Sequence, residues 1–322
     1  MIRITFLGTA AARPTVGRNV TSIAVQREGD VFLFDCGEGT QRQMMRYQTG
    51  FGIEHIFVTH IHADHILGIP GLVRTMGLQG RTEPLSIHGP TGSRKVLMDA
   101  VHLGVDRLPF EITIREIESG ERVAFEGWAV EAFSVVHKHN ALGFRLVEED
   151  RLGRFDIERV RELGIPEGPL FGRLHRGETI EVEGRLISPD QVVGPARPGR
   201  TVVYAGDTRP CDAVVQASQD ADLLIHEATF SQEDADRARE TLHSTAQEAA
   251  EVARAAGARR LVLTHISARH AESTDPLESE ASAIFPGVRV ARDGMVIEIP
   301  YREDSEEGAP SGVAASGEGA AG

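Results

Sequence analysis

A chain of 322 residues with 41% hydrophobic content can bury a substantial core, as one large domain or two small ones. A net charge of −14 at pH 7 argues against a nonspecific nucleic-acid binder, though not against a nucleic-acid enzyme with a local basic patch and metal ions. Two cysteines far apart, Cys36 and Cys211, imply no disulfide framework; with no signal-like N-terminus and no run near the ~20 apolar residues that cross a bilayer, a cytoplasmic protein with no membrane partner is expected.

Ile2, Ile4 and Phe6 alternate with polar residues and predict a first strand. A loop rich in Gly, Pro and Arg fills residues 8–19. Residues 21–26 and 31–35 read as a hairpin turning at Glu28-Gly29-Asp30. Thr40 opens a helix to 48, which Gly50 is placed to stop. A strand over 53–59 then runs into Thr59-His60-Ile61-His62-Ala63-Asp64-His65. Residues 66–79 predict a helix, 85–88 a strand, and 93–103 a second helix. Strands return at 111–117, 122–125 and 128–136, the last ending in His137, and again at 142–147.

From about 151 to 200 the texture changes. Gly and Pro are dense and arginines, among them Arg151, Arg154, Arg159, Arg161, Arg173, Arg176 and Arg185, fall among acids, which predicts a flexible arm projecting from the main body, about 151–195. The core resumes at 201–205, a strand that delivers Gly206-Asp207-Thr208. Another, 221–225, delivers His226-Glu227-Ala228-Thr229. His243-Ser244-Thr245 precedes an Ala-rich helix over 245–256, and 260–265 is a strand ending in His265. Strands at 288–291 and 295–300 close a main domain of residues 1–302. The acidic, Gly- and Ala-rich remainder, 303–322, is expected to be disordered. Mixed strands and helices, with ligand-type residues at strand ends, predict an α/β fold of two sheets sandwiched between helices. The echo between Ile56-Phe57-Val58-Thr59-His60 and Leu261-Val262-Leu263-Thr264-His265 suggests two related halves that meet at one site.

Imidazole nitrogens and carboxylate oxygens are ligands for zinc and similar divalent ions. On a strand, His60 and His62 would share a face. The expected partition is His60, His62 and His137 on one ion, Asp64, His65 and His265 on a second, and Asp207 bridging them. His137 is preferred to His139 because it directly ends its strand. Such a pair can activate water at neutral pH and hold phosphoryl or acyl oxygens. His243 precedes capping-box spacings at Ser244 to Gln247 and Thr245 to Glu248, where a helix start suits a phosphate. Glu227 is placed to orient the His243 imidazole and raise its pKa.

The His-x-His-x-Asp-His motif with its later His, Asp and His resembles the metallo-β-lactamase superfamily, which implies an αββα sandwich binding two zinc ions per subunit. More narrowly, the chain resembles the short bacterial form of the ribonuclease Z family, the tRNA 3′-processing endonucleases. The matching pieces include Phe34-Asp35-Cys36-Gly37-Glu38-Gly39-Thr40-Gln41, Tyr204-Ala205-Gly206-Asp207-Thr208, His226-Glu227-Ala228-Thr229-Phe230 and His243-Ser244-Thr245. The resemblance implies that the arm is an exosite gripping the tRNA elbow, with Gly168-Pro169-Leu170-Phe171-Gly172 as its contact. It also implies a homodimer in which one subunit's arm holds the tRNA cut by the other. Glu227 and His243 would be the proton-transfer pair, with Asp64 assisting. Arg18, Ser244 and Thr245 are further expected substrate contacts. Val16 departs from the family's usual basic residue in its Pro-x-Lys-x-Arg-Asn loop, which bears on how an encoded CCA is treated.

The function expected is a zinc-dependent endoribonuclease that removes the 3′ trailer of precursor tRNA. Metal-activated hydroxide would attack the phosphodiester, leaving a 3′-hydroxyl on the tRNA and a 5′-phosphate on the trailer. The alternatives are another superfamily hydrolase, such as a small phosphodiesterase or sulfatase-like enzyme, or a non-catalytic RNA-binding module on the same scaffold. Chelator-sensitive cleavage would separate the last from the enzymes.

Overall fold

The computed structural model describes residues 1–104 and 107–302; the expected disordered tail lies outside the described residues. Strand β1 (Ile2–Gly8) leads to the hairpin β2 (Ser22–Arg27) and β3 (Asp30–Phe34). Helix α1 (Thr40–Arg46) starts after Gly39, whose φ of 77° suits a residue without Cβ. There follow β4 (His55–Phe57), α2 (Ala63–Ile66), α3 (Ile69–Leu78), β5 (Leu85–Pro90), α4 (Arg94–His102) and β6 (Ile112–Ile117). Strands β7 (Arg122–Phe125), β8 (Trp128–Ser134) and β9 (Leu142–Glu148) form an antiparallel meander.

Residues 150–198 belong to a separate compact unit. It holds α5 (Ile157–Glu162), α6 (Pro169–His175) and the small hairpin β10 (Ile180–Val182) and β11 (Arg185–Ile187). Its glycines and prolines punctuate short elements around a core of its own: Val160, Ile165, Leu174, Ile180, Val182, Ile187 and Val192.

The main unit, residues 1–149 and 199–300, then continues with β12 (Thr201–Tyr204), α7 (Asp212–Ala217), β13 (Leu223–Glu227), α8 (Ala235–Thr241), α9 (Ala246–Ala255), β14 (Leu261–Thr264), α10 (Asp275–Ser282), β15 (Arg289–Val290) and β16 (Val296–Ile299). The sequence reading missed α7, α8 and α10. They are short, and α8 buries only Ala235 and Ala238, too little for a periodic signal.

Two seven-stranded mixed sheets result, ordered β16-β1-β2-β3-β4-β5-β6 and β15-β14-β13-β12-β9-β8-β7. In each sheet an antiparallel portion adjoins a parallel one, β3 to β6 in the first and β12 to β15 in the second. A shared core of Phe6, Phe32, Phe34, Phe57, Trp128, Phe144 and Tyr204 lies among the strands of both sheets. Phe34 stacks on Phe144 at 5.6 Å between ring centres, and such pairs add to simple area burial. Leu72, Val73, Met76 and Leu97 of α3 and α4 cover the outer face of the first sheet. The alanines of α9 cover that of the second, so close approach follows from small side chains. This is the αββα sandwich the sequence predicts.

Two departures from the sequence reading matter for the site. The strand expected over 53–59 ends at Phe57, so His60 and His62 lie in irregular backbone and share no strand face. The helix expected over 66–79 is broken: α2 stops at Ile66 and α3 restarts at Ile69. A Cβ on Gly68 would lie 2.0 Å from the Gly37 carbonyl oxygen, so the chain bends there against the Gly37 turn. Pro70 sits in the first turn of α3, where its missing N–H costs nothing.

Candidate metal centre and active site

The carboxyl ends of the parallel strands converge on one point. His60 and His62 follow β4, and α2 carries Asp64 and His65. His137 lies beyond the end of β8, reached through Val136, which bridges Arg209; it does not end the strand directly. Asp207 follows β12, and His265 follows β14 in a left-handed conformation with φ of 56°.

Their ligand atoms form three overlapping groups, each within 4.8 Å: His60, His62, His137 and Asp207; Asp64, His65 and His265; and Asp207, His243 and His265. His60 Nε2 lies 2.8 Å from His62 Nδ1, which is 3.4 Å from His137 Nε2. Asp207 Oδ2 stands between the first two groups, 3.6 Å from His60, 3.4 Å from His65 and 3.3 Å from His265. Asp64 Oδ2 is 3.3 Å from His265 and 3.6 Å from His65. The structure thus brings together all seven residues that the sequence reading chose. His139 stands outside these groups, its ring packed on His62.

Whether a cation suits this cluster can be judged from its polar atoms. His65 Nε2 and Asp207 Oδ1 are buried with no hydrogen-bond partner, a costly state for polar groups. Packing so many imidazole nitrogens around two carboxylates makes sense with a positive charge between them. The set of nitrogen and oxygen donors fits a borderline divalent ion such as zinc.

The distal nitrogens are also held. His65 Nδ1 donates to Asp35 Oδ2 at 2.8 Å, and the same carboxylate accepts from Thr59 and Tyr204. His137 Nδ1 donates to the Leu242 carbonyl at 2.8 Å, and His265 Nδ1 to Thr229 Oγ1 at 2.9 Å. Such contacts fix ring orientation and leave the other nitrogen for a ligand bond. Sequence reasoning gave Asp35 and Thr229 no role. Asp35 carried a readable signal, a buried-type strand ending in an acid, as at Asp207.

Beside the cluster, His243 Nδ1 lies 2.8 Å from Glu227 Oε1. Burial opposes charge on His243, but the Glu227 carboxylate overrides it and lifts the imidazole to about 9. Burial alone would favour a neutral Glu227, yet His243 holds its carboxyl below the usual range. Thr229 Oγ1 and the backbone amides of Thr208 and Ser244 also donate to Glu227.

Three expected substrate contacts, Arg18, Ser244 and Thr245, make their hydrogen bonds within the protein. Ser244 and Thr245 are fully buried. Ser244 Oγ donates to the Thr208 carbonyl, and Thr245 forms the capping box of α9 with Glu248, whose carboxylate also binds Arg209. The start of α9 is therefore capped from within the protein. Arg18 turns inward, its Nη1 donating to Thr9 Oγ1 and the Ala291 carbonyl. Within the inserted unit, Gly168 precedes α6, which begins at Pro169 and includes Gly172; its Leu170 and Phe171 are half-buried against the unit's own core, and Phe171 packs on Phe155.

The cavity above the cluster holds about 470 Å³ and is lined by His62, Asp64, His137, Asp207, His243 and His265. Four exposed cations, Arg13, Lys138, Arg237 and Arg269, also line it. They are scattered in sequence, and no motif announced them.

An αββα sandwich with histidines and aspartates gathered at its strand ends defines a metallo-β-lactamase-type protein, and the family model described as "Metallo-beta-lactamase superfamily" matches residues 15–265. Similarity extends much further. The ribonuclease Z of Myxococcus xanthus is 53% identical over 305 residues, covering 94% of this chain and 99% of that protein. That of Haloferax volcanii is 52% identical over 315 residues, covering 97% and 99%. The crystal structure of the short form of human tRNase Z superposes with a TM-score of 0.67 at 31% identity, covering 92% of this chain and 99% of that one. The chain belongs to the ribonuclease Z family.

Proposed function

We propose that the chain binds two zinc ions at this centre and removes the 3′ trailer of precursor tRNA, acting as a homodimer in the cytoplasm. The observation that carries the reading is the placement of a seven-ligand cluster and the Glu227–His243 pair around one cavity with a cationic rim. Of the described residues, no helix is long and apolar enough to cross a membrane.

His60, His62 and His137 would hold one ion, Asp64, His65 and His265 the other, with Asp207 between. Bound there, two such ions supply an acidified water and neutralise charge on the phosphoryl oxygens. The chain's own groups do the rest. Arg13, Lys138, Arg237 and Arg269 attract and align phosphates despite the chain's net charge of −14. Glu227 keeps His243 charged and fixes its ring through Nδ1, so Nε2 carries the proton that the leaving 3′-oxygen needs. As water adds to the phosphorus and the P–O3′ bond breaks, that proton leaves a 3′-hydroxyl on the tRNA, and the phosphate stays on the 5′ end of the trailer. Asp64, which lines the cavity, would assist. The inserted unit, with Gly168 to Gly172 at its surface, would grip the body of the tRNA.

Incubation with a 3′-extended precursor tRNA, with the cut mapped to the nucleotide, tests this reading. One chelator-sensitive cut at the trailer junction is expected. Absence of cleavage, or cleavage indifferent to chelator, would overturn it.

A further inference from the structure

The loop after β1 reaches the metal centre through its backbone. Ala12 N–H donates to Asp64 Oδ2 at 2.7 Å. Ala11 N–H donates to the Ile266 carbonyl at 3.0 Å, and Ile266 N–H to the Thr9 carbonyl at 2.8 Å. Ile266 directly follows His265. Residues 9–12 therefore fasten Asp64 on one side and the segment carrying His265 on the other. Both Ala12 and His265 sit in the left-handed region, with φ of 58° and 56°. For a residue with a Cβ that conformation is unfavourable, so it persists only where its surroundings enforce it.

The enforcement is visible at the far end of the loop. Thr9 N–H and Ala10 N–H both donate to the Asn19 carbonyl at 2.8 Å, which closes the loop on itself. Asp293, in the turn between β15 and β16, then ties the closed base down. Its Oδ1 accepts from Thr9 Oγ1 at 2.8 Å; its Oδ2 accepts from Asn19 N–H at 2.6 Å and Gln43 Nε2 at 2.7 Å. Three segments distant in sequence meet on one carboxylate. Arg18 adds a strut from Thr9 to the Ala291 carbonyl, and Asn19 Nδ2 reaches the Glu38 carbonyl at 2.7 Å. Each donor faces an oxygen, so an amide at position 293 would turn an N–H toward at least one of them.

We propose that Asp293 is a positioning residue for the metal centre. It clamps the 9–19 loop, and the loop backbone holds Asp64 and the His265 segment in ligating geometry. Asp293 itself acts only through the loop. The inference rests on the metal reading above and adds to it a residue more than 25 positions beyond the last expected ligand.

The test compares Asp293→Asn with Asp222→Asn in full-length protein. Asp222 is likewise buried and accepts from the Thr201 amide, but it belongs to the opposite end of β12 and β13. Amide hydrogen exchange of the metal-free proteins and zinc affinity by competition with a chromogenic chelator are measured. For Asp293→Asn, exchange at Ala11 and Ala12 should speed roughly tenfold or more. Zinc should bind about 10–100-fold more weakly, the usual consequence of losing support behind metal ligands. Asp222→Asn should change neither. If Asp293→Asn does not fold, Thr9→Val removes one contact to the carboxylate and takes the same measurements. Wild-type exchange or wild-type zinc affinity in the variant would overturn the clamp, as would equal losses in Asp222→Asn. Wild-type protein that binds no zinc would instead sink the metal reading.

Discussion

His243 owes both its orientation and its charge to Glu227, and the two residues stand 16 positions apart. At the scale of single residues the proposed proton transfer can be tested apart from metal binding. His243→Ala should lower turnover on precursor tRNA about 10²- to 10⁴-fold while elemental analysis finds the metal content of wild type. Because His243 also lies within reach of Asp207 and His265, a matching loss of metal would make it a ligand and remove it from the proton-transfer role. The ligand-type residues were legible one by one, since histidines and aspartates at strand ends are uncommon without a reason. The residues behind them were not. Thr229, Leu242 and Asp293 contribute a hydroxyl, a carbonyl and a turn carboxylate, groups that occur throughout any chain and gain meaning only from what faces them.

Among the elements, β9 and β12 carry a buried ionic clasp where the chain leaves and re-enters the main unit. Glu148 accepts from Arg200 Nε and Nη2, each at 2.7 Å, and from Arg27 Nε at 2.7 Å; Arg200 Nη1 donates to the Ile299 carbonyl. Burial would raise the Glu148 pKa, but the two guanidinium groups hold it below the usual range. A carboxylate whose folded pKa is depressed contributes stability above its unfolded value, about 4.3, and loses it as pH falls through the lower folded one. Breaking such a pair costs about 3–5 kcal/mol. Glu148→Gln should therefore melt well below wild type at pH 7, and the gap should narrow as pH drops under about 4. A constant gap would assign the loss to packing. Element positions were largely readable from periodicity, but not the stop of β4 at Phe57 or the break between α2 and α3. The break follows from Gly68 passing against Gly37, a contact between segments that sequence proximity does not report.

For the whole molecule, the inserted unit and the catalytic cavity are proposed to work across a dimer. Replacing residues 151–195 with a short Gly-Ser linker should abolish cleavage of precursor tRNA yet spare hydrolysis of bis(p-nitrophenyl) phosphate. Mixing that variant with His243→Ala should restore part of the tRNA cleavage, because one subunit supplies the arm and the other the intact proton-transfer pair. No restoration, together with a monomeric mass by light scattering, would sink the dimer reading; equal loss of both activities would sink the exosite. By itself the sequence determined the fold class, through its alternating and helical periods, and the identity of the metal-cluster residues, through their chemistry and their places after predicted strands. Only the tertiary structure decided what each polar group faces. It turned Arg18, Ser244 and Thr245 inward, set four scattered cations around the cavity, and joined Asp293 to a loop that begins over 280 residues earlier. The physical reason is that periodicity records which side of an element is buried, whereas a hydrogen bond depends on a distance of about 3 Å between groups whose separation along the chain carries no information.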